Sequence, residues 1–207
     1  MKTLLFLGDS ITDCNHYFDP GNLGYGYVRM ISEKITQKNT PDSNDQVLNK
    51  GNDGFTVSAL RRLWKRSCLN LNPDFITILI GINDLAVINN TGITPSVGLA
   101  EFREQYQALI EEIRMLTDCP ILLIEPFIFP HPAEYTSWEP ELHKMNAIIQ
   151  QLATDHHLDF LPLWEDLRSI AKKEGYAEIT TDGIHLTAQG HQLIASRWLS
   201  AYSKQNF

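Results

Sequence analysis

Thr3-Leu4-Leu5-Phe6-Leu7 runs directly into Gly8-Asp9-Ser10-Ile11-Thr12-Asp13, and this junction decides the fold. The apolar run shows no polar alternation, as expected of a strand covered on both faces in an all-parallel sheet. Four further runs share that character: Gln46–Leu48, Phe75–Ile80, Ile121–Glu125 and Asp159–Leu161. Apolar residues recur at helical spacing over Gly26–Gln37, Val57–Asn70, Val97–Leu116, Glu139–Asp155 and Thr187–Ser203. In the last of these Leu193, Ile194, Trp198 and Leu199 make one stripe, while Gln192, Arg197 and Ser200 fall opposite. Strand and helix in alternation predict an α/β fold: three layers, α/β/α, around a five-stranded parallel sheet. Asn72-Pro73 and Cys119-Pro120 break the chain ahead of strands, and Asn39–Asp45 reads as polar loop. Gly92–Ser96 and Pro126–Pro140 are irregular, the second rich in proline and aromatic residues, a composition suited to shaping a pocket. With no internal repeat or long linker, residues 1–207 are expected to form a single domain.

Composition narrows the function. Lys+Arg 17 against Asp+Glu 25 gives 17 − 25 = −8, and the longest basic runs are the pairs Arg61-Arg62 and Lys172-Lys173. That balance argues against nucleic acid as the main partner. Cys14, Cys68 and Cys119 are too scattered for a disulfide framework or a zinc site, which suits a reducing compartment. The first nine residues read as a strand and not a signal peptide, and Phe75 to Ile82 is far short of a membrane helix. The expectation is a cytoplasmic protein with no membrane partner.

In open α/β sheets ligands sit beyond the carboxyl ends of the strands. There the sequence supplies Gly8-Asp9-Ser10, then Asn49-Lys50-Gly51-Asn52-Asp53-Gly54, then Gly81-Ile82-Asn83-Asp84; near the C-terminus lies Asp182-Gly183-Ile184-His185. Together these provide a hydroxyl, amide donors and a carboxylate–imidazole pair, the inventory for acyl transfer through a serine nucleophile. A serine hydroxyl needs a base, and the imidazole of His185 is suited to that role. Asp182, three residues earlier, is close enough to fix its tautomer. The Ser10 amide, the Gly51 amide and the Asn83 side chain are the candidate oxyanion donors.

Gly8-Asp9-Ser10-Ile11-Thr12-Asp13, Asn49-x-Gly51-x-x-Gly54, Gly81-Ile82-Asn83-Asp84 and Asp182-x-x-His185 resemble, in order, the four blocks of the GDSL, or SGNH, hydrolases. The resemblance spans positions 8 to 185. It implies a flavodoxin-like fold with Ser10 as nucleophile, Gly51 and Asn83 in the oxyanion hole, and Asp182 and His185 completing the triad. Within that family, Gly8-Asp9-Ser10-Ile11-Thr12-Asp13-Cys14, Leu23-Gly24-Tyr25-Gly26-Tyr27-Val28, Asn49-Lys50-Gly51 with Thr56-Val57, and Ile80-Gly81-Ile82-Asn83-Asp84 look most like the intracellular bacterial acetylxylan esterases. Leu186 stands where many members carry proline, and Asn52-Asp53 separates the glycines of the second block. The implied activity is hydrolysis of short-chain carboxylic esters, with acetylated xylo-oligosaccharides as leading substrates and lysophospholipids or thioesters as rivals. Related esterases often assemble, so a homo-oligomer is an expectation carried by the resemblance.

Other readings fit less well. A Mg²⁺-dependent phosphatase of the D-x-D type needs a carboxylate where Ile11 stands. No G-x-G-x-x-G follows the first strand, and the G-x-S-x-G elbow is absent. A non-catalytic binding domain on the same fold would not need the full set of catalytic groups. His131 and His156-His157 lack metal-ligand spacing, so no metal and no cofactor is expected. Asp9, His191 and Cys14 read as structural, and Asp84 as a loop hydrogen-bonding residue. Tyr25, Phe127 and Trp138 are candidates for an aromatic wall around the substrate.

Overall fold

The computed structural model describes residues 2–38, 45–68, 70–131 and 133–204. All five expected strands form: β1 (Thr3–Gly8), β2 (Gln46–Gly51), β3 (Phe75–Leu79), β4 (Ile121–Ile124) and β5 (Asp159–Leu161). They pair in parallel in the order β2-β1-β3-β4-β5. Nine α-helical segments connect and flank them among the described residues: α1 (Ser10–Asp13), α2 (Tyr27–Lys38), α3 (Val57–Leu63), α4 (Ile82–Asn90), α5 (Pro95–Arg114), α6 (Glu139–Asp155), α7 (Trp164–Glu174), α8 (Tyr176–Ile179) and α9 (Ala188–Tyr202). Helix α3 runs on into a wider π turn, Trp64–Cys68, and short 3₁₀ turns occupy His16–Phe18 and Ala133–Trp138. Most of the Asn39–Asp45 loop lies outside the described residues.

Strand β3 is buried along its whole length, as its unbroken Phe-Ile-Thr-Ile-Leu predicts for a central strand. Helices α2 and α9 pack together on one face of the sheet, and α3, α5 and α6 line up on the other. Trp198 anchors α9: its ring meets Phe6 at 5.2 Å and Phe75 at 5.9 Å, and its indole N–H donates to Thr77 Oγ1 at 2.8 Å. That bond satisfies a hydroxyl buried in the middle of β3; truncating such a tryptophan to alanine costs about 3–5 kcal/mol. Among the described residues no helix is long and apolar enough to cross a membrane.

Strand order reverses between β1 and β3, the two strands on which the chain switches direction of travel across the sheet. In flavodoxin-like sheets this switch point is where the carboxyl ends open a crevice. Ser10 follows β1 and Asn83 follows β3, so both flank it.

Two expectations are corrected here. Strand β2 continues through Asn49-Lys50-Gly51, beyond the apolar run, because its parallel register with β1 carries on from Leu5↔Leu48 to Gly8↔Gly51. The segment after β3 is helix α4, and the chain after β5 forms α7; neither was expected. Both carry a buried stripe, Ile82/Leu85/Ile88 and Trp164/Leu167/Ala171.

Candidate active site

The nucleophile candidate is placed by a cap. Asp9 is extended (φ −98°, ψ −152°) and accepts the Ile11 N–H at 3.1 Å, so Ser10 becomes the first residue of α1. Asp9 is 1% exposed. Burial pushes its carboxyl up to about 7, against the Ile11 hydrogen bond, which pulls the other way. Asp9 is a structural residue, as its position in the turn implies.

Ser10 Oγ lies 3.0 Å from His185 Nε2, and His185 Nδ1 lies 2.6 Å from Asp182 Oδ2. The other Asp182 oxygen accepts the N–H groups of Ile184 at 2.9 Å and His185 at 2.8 Å. With Nδ1 donating to the carboxylate, Nε2 is left to accept from the serine hydroxyl. Burial of Asp182 raises its acidity threshold, but the bonds from the His185 ring and the two backbone amides outweigh it and hold the carboxyl below its ordinary value.

The loop bearing the pair is braced at both ends. Thr180 Oγ1 donates to the His185 carbonyl at 2.7 Å and accepts the Gly183 N–H at 2.8 Å, while Thr187 caps α9. Behind the loop, the Phe129 N–H donates to the Gly183 carbonyl at 2.8 Å, and the Tyr135 ring lies against Gly183. Phe129 and Tyr135 therefore buttress the histidine loop from the rear.

Gly51 does not supply an oxyanion donor. Its N–H is committed to Asn49 Oδ1 at 2.9 Å, inside the protein. A Cβ there would fall 2.2 Å from the Asp13 nitrogen, so Gly51 serves to let β2 pass close under α1. The glycine three residues later is the one left open: Gly54 has φ +71°, nothing within 4 Å of a built Cβ, and no acceptor for its N–H among the described residues. Its turn is held by two carboxylates and an amide. Asp13 Oδ2 accepts the Asp53 N–H at 3.0 Å, Asp84 accepts the Val57 N–H at 3.0 and 3.2 Å, and Asn83 Nδ2 donates to the Phe55 carbonyl at 2.9 Å. One Asn83 amide hydrogen remains for a ligand. Asp84 lies in α4 and not in the expected loop, but is hydrogen-bonded as expected; burial pushes its carboxyl up to about 7. No sequence signal separates Gly54 from Gly51: only the fold shows which of the two amides is left open.

Ser10, His185 and Asp53 line a cleft of about 320 Å³ together with Ile11, Cys14 and Asn15. His191 borders it but is 5% exposed, accepts the Tyr27 N–H at 3.3 Å and meets Cys14 Sγ at 3.6 Å. Burial pushes its imidazole down to about 4, so it stays neutral. Of the expected aromatic wall, Phe127 is fully buried against Phe129 and has no surface to offer a ligand. Trp138 packs edge-on to Tyr135 at 4.8 Å, behind the histidine loop. Tyr25 is 52% exposed and sits beneath Arg29, its N–H bonded to the Cys14 carbonyl at the cleft's margin. Among the described residues no group of three or more His, Cys, Asp or Glu is placed to hold a metal.

This geometry has counterparts. The chain is 28% identical over 205 residues to the acetylxylan esterase of Geobacillus stearothermophilus, covering 96% of this chain and 92% of that one. A crystal structure of that enzyme superposes with a TM-score of 0.83, covering 96% of this chain and 93% of the other at 28% identity. Solved catalytic mutants of it alter a serine, an aspartate and a histidine, the aspartate three residues ahead of the histidine. A GDSL-like lipase structure from Parabacteroides merdae superposes at TM-score 0.89, with 27% identity over 99% of this chain and 96% of that one. The family model of the GDSL-like lipases and acylhydrolases matches residues 6–193, which spans every group of the cleft, and the chain belongs to that family of serine ester hydrolases.

Proposed function

We propose that this protein deacetylates carbohydrates, with acetylated xylo-oligosaccharides as the leading substrate class. The observation that carries the chemistry is the Ser10–His185–Asp182 relay at 3.0 and 2.6 Å, facing a turn with uncommitted donors. Ser10 attacks the ester carbonyl while His185 takes its proton and passes it to the departing sugar oxygen. The Ser10 and Gly54 N–H groups and the second Asn83 amide hydrogen receive the oxyanion, each such donor contributing roughly 10²–10³ in rate. Water, deprotonated by His185, then releases acetate from the acyl-enzyme. No step calls for a metal.

Two features favour a short acyl group. The cleft of about 320 Å³ is small and mixed, with Asp13, Asn15 and Asp53 as well as Ile11, Cys14 and Leu186 beside Ser10 and His185, which offers little room for a long alkyl chain. Asp182 and His185 are each 49% exposed, so the site opens to solvent where a bulky, hydrated alcohol can approach. The likeness to the Geobacillus acetylxylan esterase supports the same choice. The free thiols of Cys14, Cys68 and Cys119 support a reducing compartment such as the cytoplasm.

The test is hydrolysis of p-nitrophenyl acetate, butyrate and octanoate beside acetylated xylo-oligosaccharides, with wild type and Ser10→Ala. Preference for acetate, release from the sugar and a dead variant are expected. Preference for octanoate would remove the carbohydrate reading, and an active Ser10→Ala would remove the nucleophile.

A further inference from the structure

Beside the catalytic turn, along α3 and its π turn, lies a second cavity of about 440 Å³. Phe55, Ala59 and Leu63 give it an apolar floor; Arg62, Lys65 and Arg66 stand around it. In a chain of net charge −8, Arg61, Arg62, Lys65 and Arg66 gather within six residues. Only part of that charge is neutralised. Glu112 accepts from Arg61 Nε at 2.8 Å and from Lys65 at 2.9 Å. Arg62 bonds only to the neutral Ser58 Oγ, at 3.0 Å, and Arg66 has no acidic partner among the described residues. The π turn Trp64–Cys68 that presents Lys65 and Arg66 is a rare backbone form, found disproportionately where side-chain placement serves a ligand.

We infer that this cavity is a subsite for the carboxylate of a uronic acid carried by the ester substrate, an inference that rests on the carbohydrate reading above. Guanidinium groups grip a carboxylate in paired, charge-assisted hydrogen bonds. The apolar floor suits the C–H face of a pyranose ring. A phosphate would be better served by helix N-terminal amides, but two of those of α3 are taken: Asp84 accepts the Val57 N–H and Thr56 that of Ala59. The cavity lies beside the reaction centre. Phe55 lines it and accepts Asn83 Nδ2 with its carbonyl, one residue from Gly54. A sugar whose acetyl ester lies against Ser10, before attack, would reach the arginines by crossing the Gly54–Phe55 turn.

The experiment compares kcat/KM on acetylated xylo-oligosaccharides with and without a glucuronic acid substituent, for wild type and for the double variant Arg62→Gln/Arg66→Gln. Wild type should prefer the acidic substrate, and the ratio of the two should fall about tenfold in the variant, the effect of losing charge-assisted bonds to one anion. Raising salt from about 50 to 500 mM should narrow the wild-type ratio by screening. A wild-type ratio near one, or a proportionate fall on both substrates in the variant, overturns the subsite. If p-nitrophenyl acetate is cleaved and neither sugar is, the carbohydrate reading fails by itself. The cavity is then judged by titrating free glucuronate into the Ser10→Ala protein and following arginine side-chain NMR signals. Shifts confined to Arg62 and Arg66 uphold a carboxylate site; their absence overturns it.

Discussion

Replacing Asp182 with asparagine separates the two tasks of that side chain. One oxygen accepts the Ile184 and His185 amides and holds the turn; the other receives His185 Nδ1–H. Asparagine keeps the first task, since its carbonyl can accept both amides in the same place. It inverts the second, because its NH₂ can only donate. The imidazole must then carry its proton on Nε2 and donate to Ser10, so the base is lost without loss of the fold. A buried aspartate in this role contributes about 10⁴ to turnover. Here the aspartate and histidine are each 49% exposed, and water can partly reorient the ring and screen the charge. The expected loss is therefore about 10²–10³ in kcat, or roughly 3–4 kcal/mol on the barrier. The assay is steady-state hydrolysis of p-nitrophenyl acetate, with reactive serine counted by a phosphonate inhibitor and thermal melting recorded alongside. Asp182→Ala, which also frees two turn amides, should lose as much activity and additionally melt lower. An asparagine variant with a native melt and activity within about tenfold of wild type would refute the assignment of Asp182 as the group that orients the base.

Three further outcomes follow from the geometry. Asn83→Ala should lower kcat by about 10²–10³ while KM changes little, and an unchanged kcat would take Asn83 out of the oxyanion hole. Gly51→Ala should destabilise the protein by about 1–3 kcal/mol or more, because its Cβ meets the Asp13 backbone, whereas Gly54→Ala should retain its N–H and lose only the roughly 1–2 kcal/mol of a positive φ; equal melting temperatures would contradict that division. Asp9→Asn should keep the cap and remove a buried ionisation. Since the folded carboxyl sits at about 7 against an ordinary 3.8, wild-type stability is eroded as pH rises through that window, so the variant should melt higher than wild type at about pH 8 and equal to it near pH 4. A gain of the same size at both pH values would mean that Asp9 does not titrate there.

The fold was legible wherever burial was two-sided. β1 and β3 announce themselves as unbroken apolar runs; β5, a partly exposed edge strand, begins and ends where its sequence says without that help. The misses have physical causes. Asn49, Lys50 and Gly51 look like loop because their side chains are polar, yet the backbone continues to pair with β1, a constraint that arises only from the neighbouring strand. Helix α4 opens with Ile82-Asn83-Asp84, residues of modest helix propensity, and forms because Ile82, Leu85 and Ile88 are drawn into the core. At the site, Ser10, Asp182 and His185, which the structure brings into one chain of hydrogen bonds, and Asn83 beside the Gly54 turn could be singled out from the sequence because acyl transfer restricts residue type. The choice between Gly51 and Gly54 was not, since two glycines of one block differ only in where their amides point. Phe127 shows the matching limit for aromatics: composition cannot say whether a ring in a proline-rich loop faces a ligand or the core.

Asp182 and His185 form a unit closed by bonds within four residues, but the serine it serves lies 175 positions upstream. During synthesis the nucleophile, the donor turn and most of the sheet emerge first, and the base comes only with the final helix. Trp198 must then dock against Phe6, Phe75 and Thr77 to bring the histidine loop into place. Ester cleavage is thus a reporter of the docking of α9: a product truncated before that helix can bury most of a native core and still be catalytically silent, and recovery of activity during refolding times the arrival of α9 rather than the assembly of the sheet.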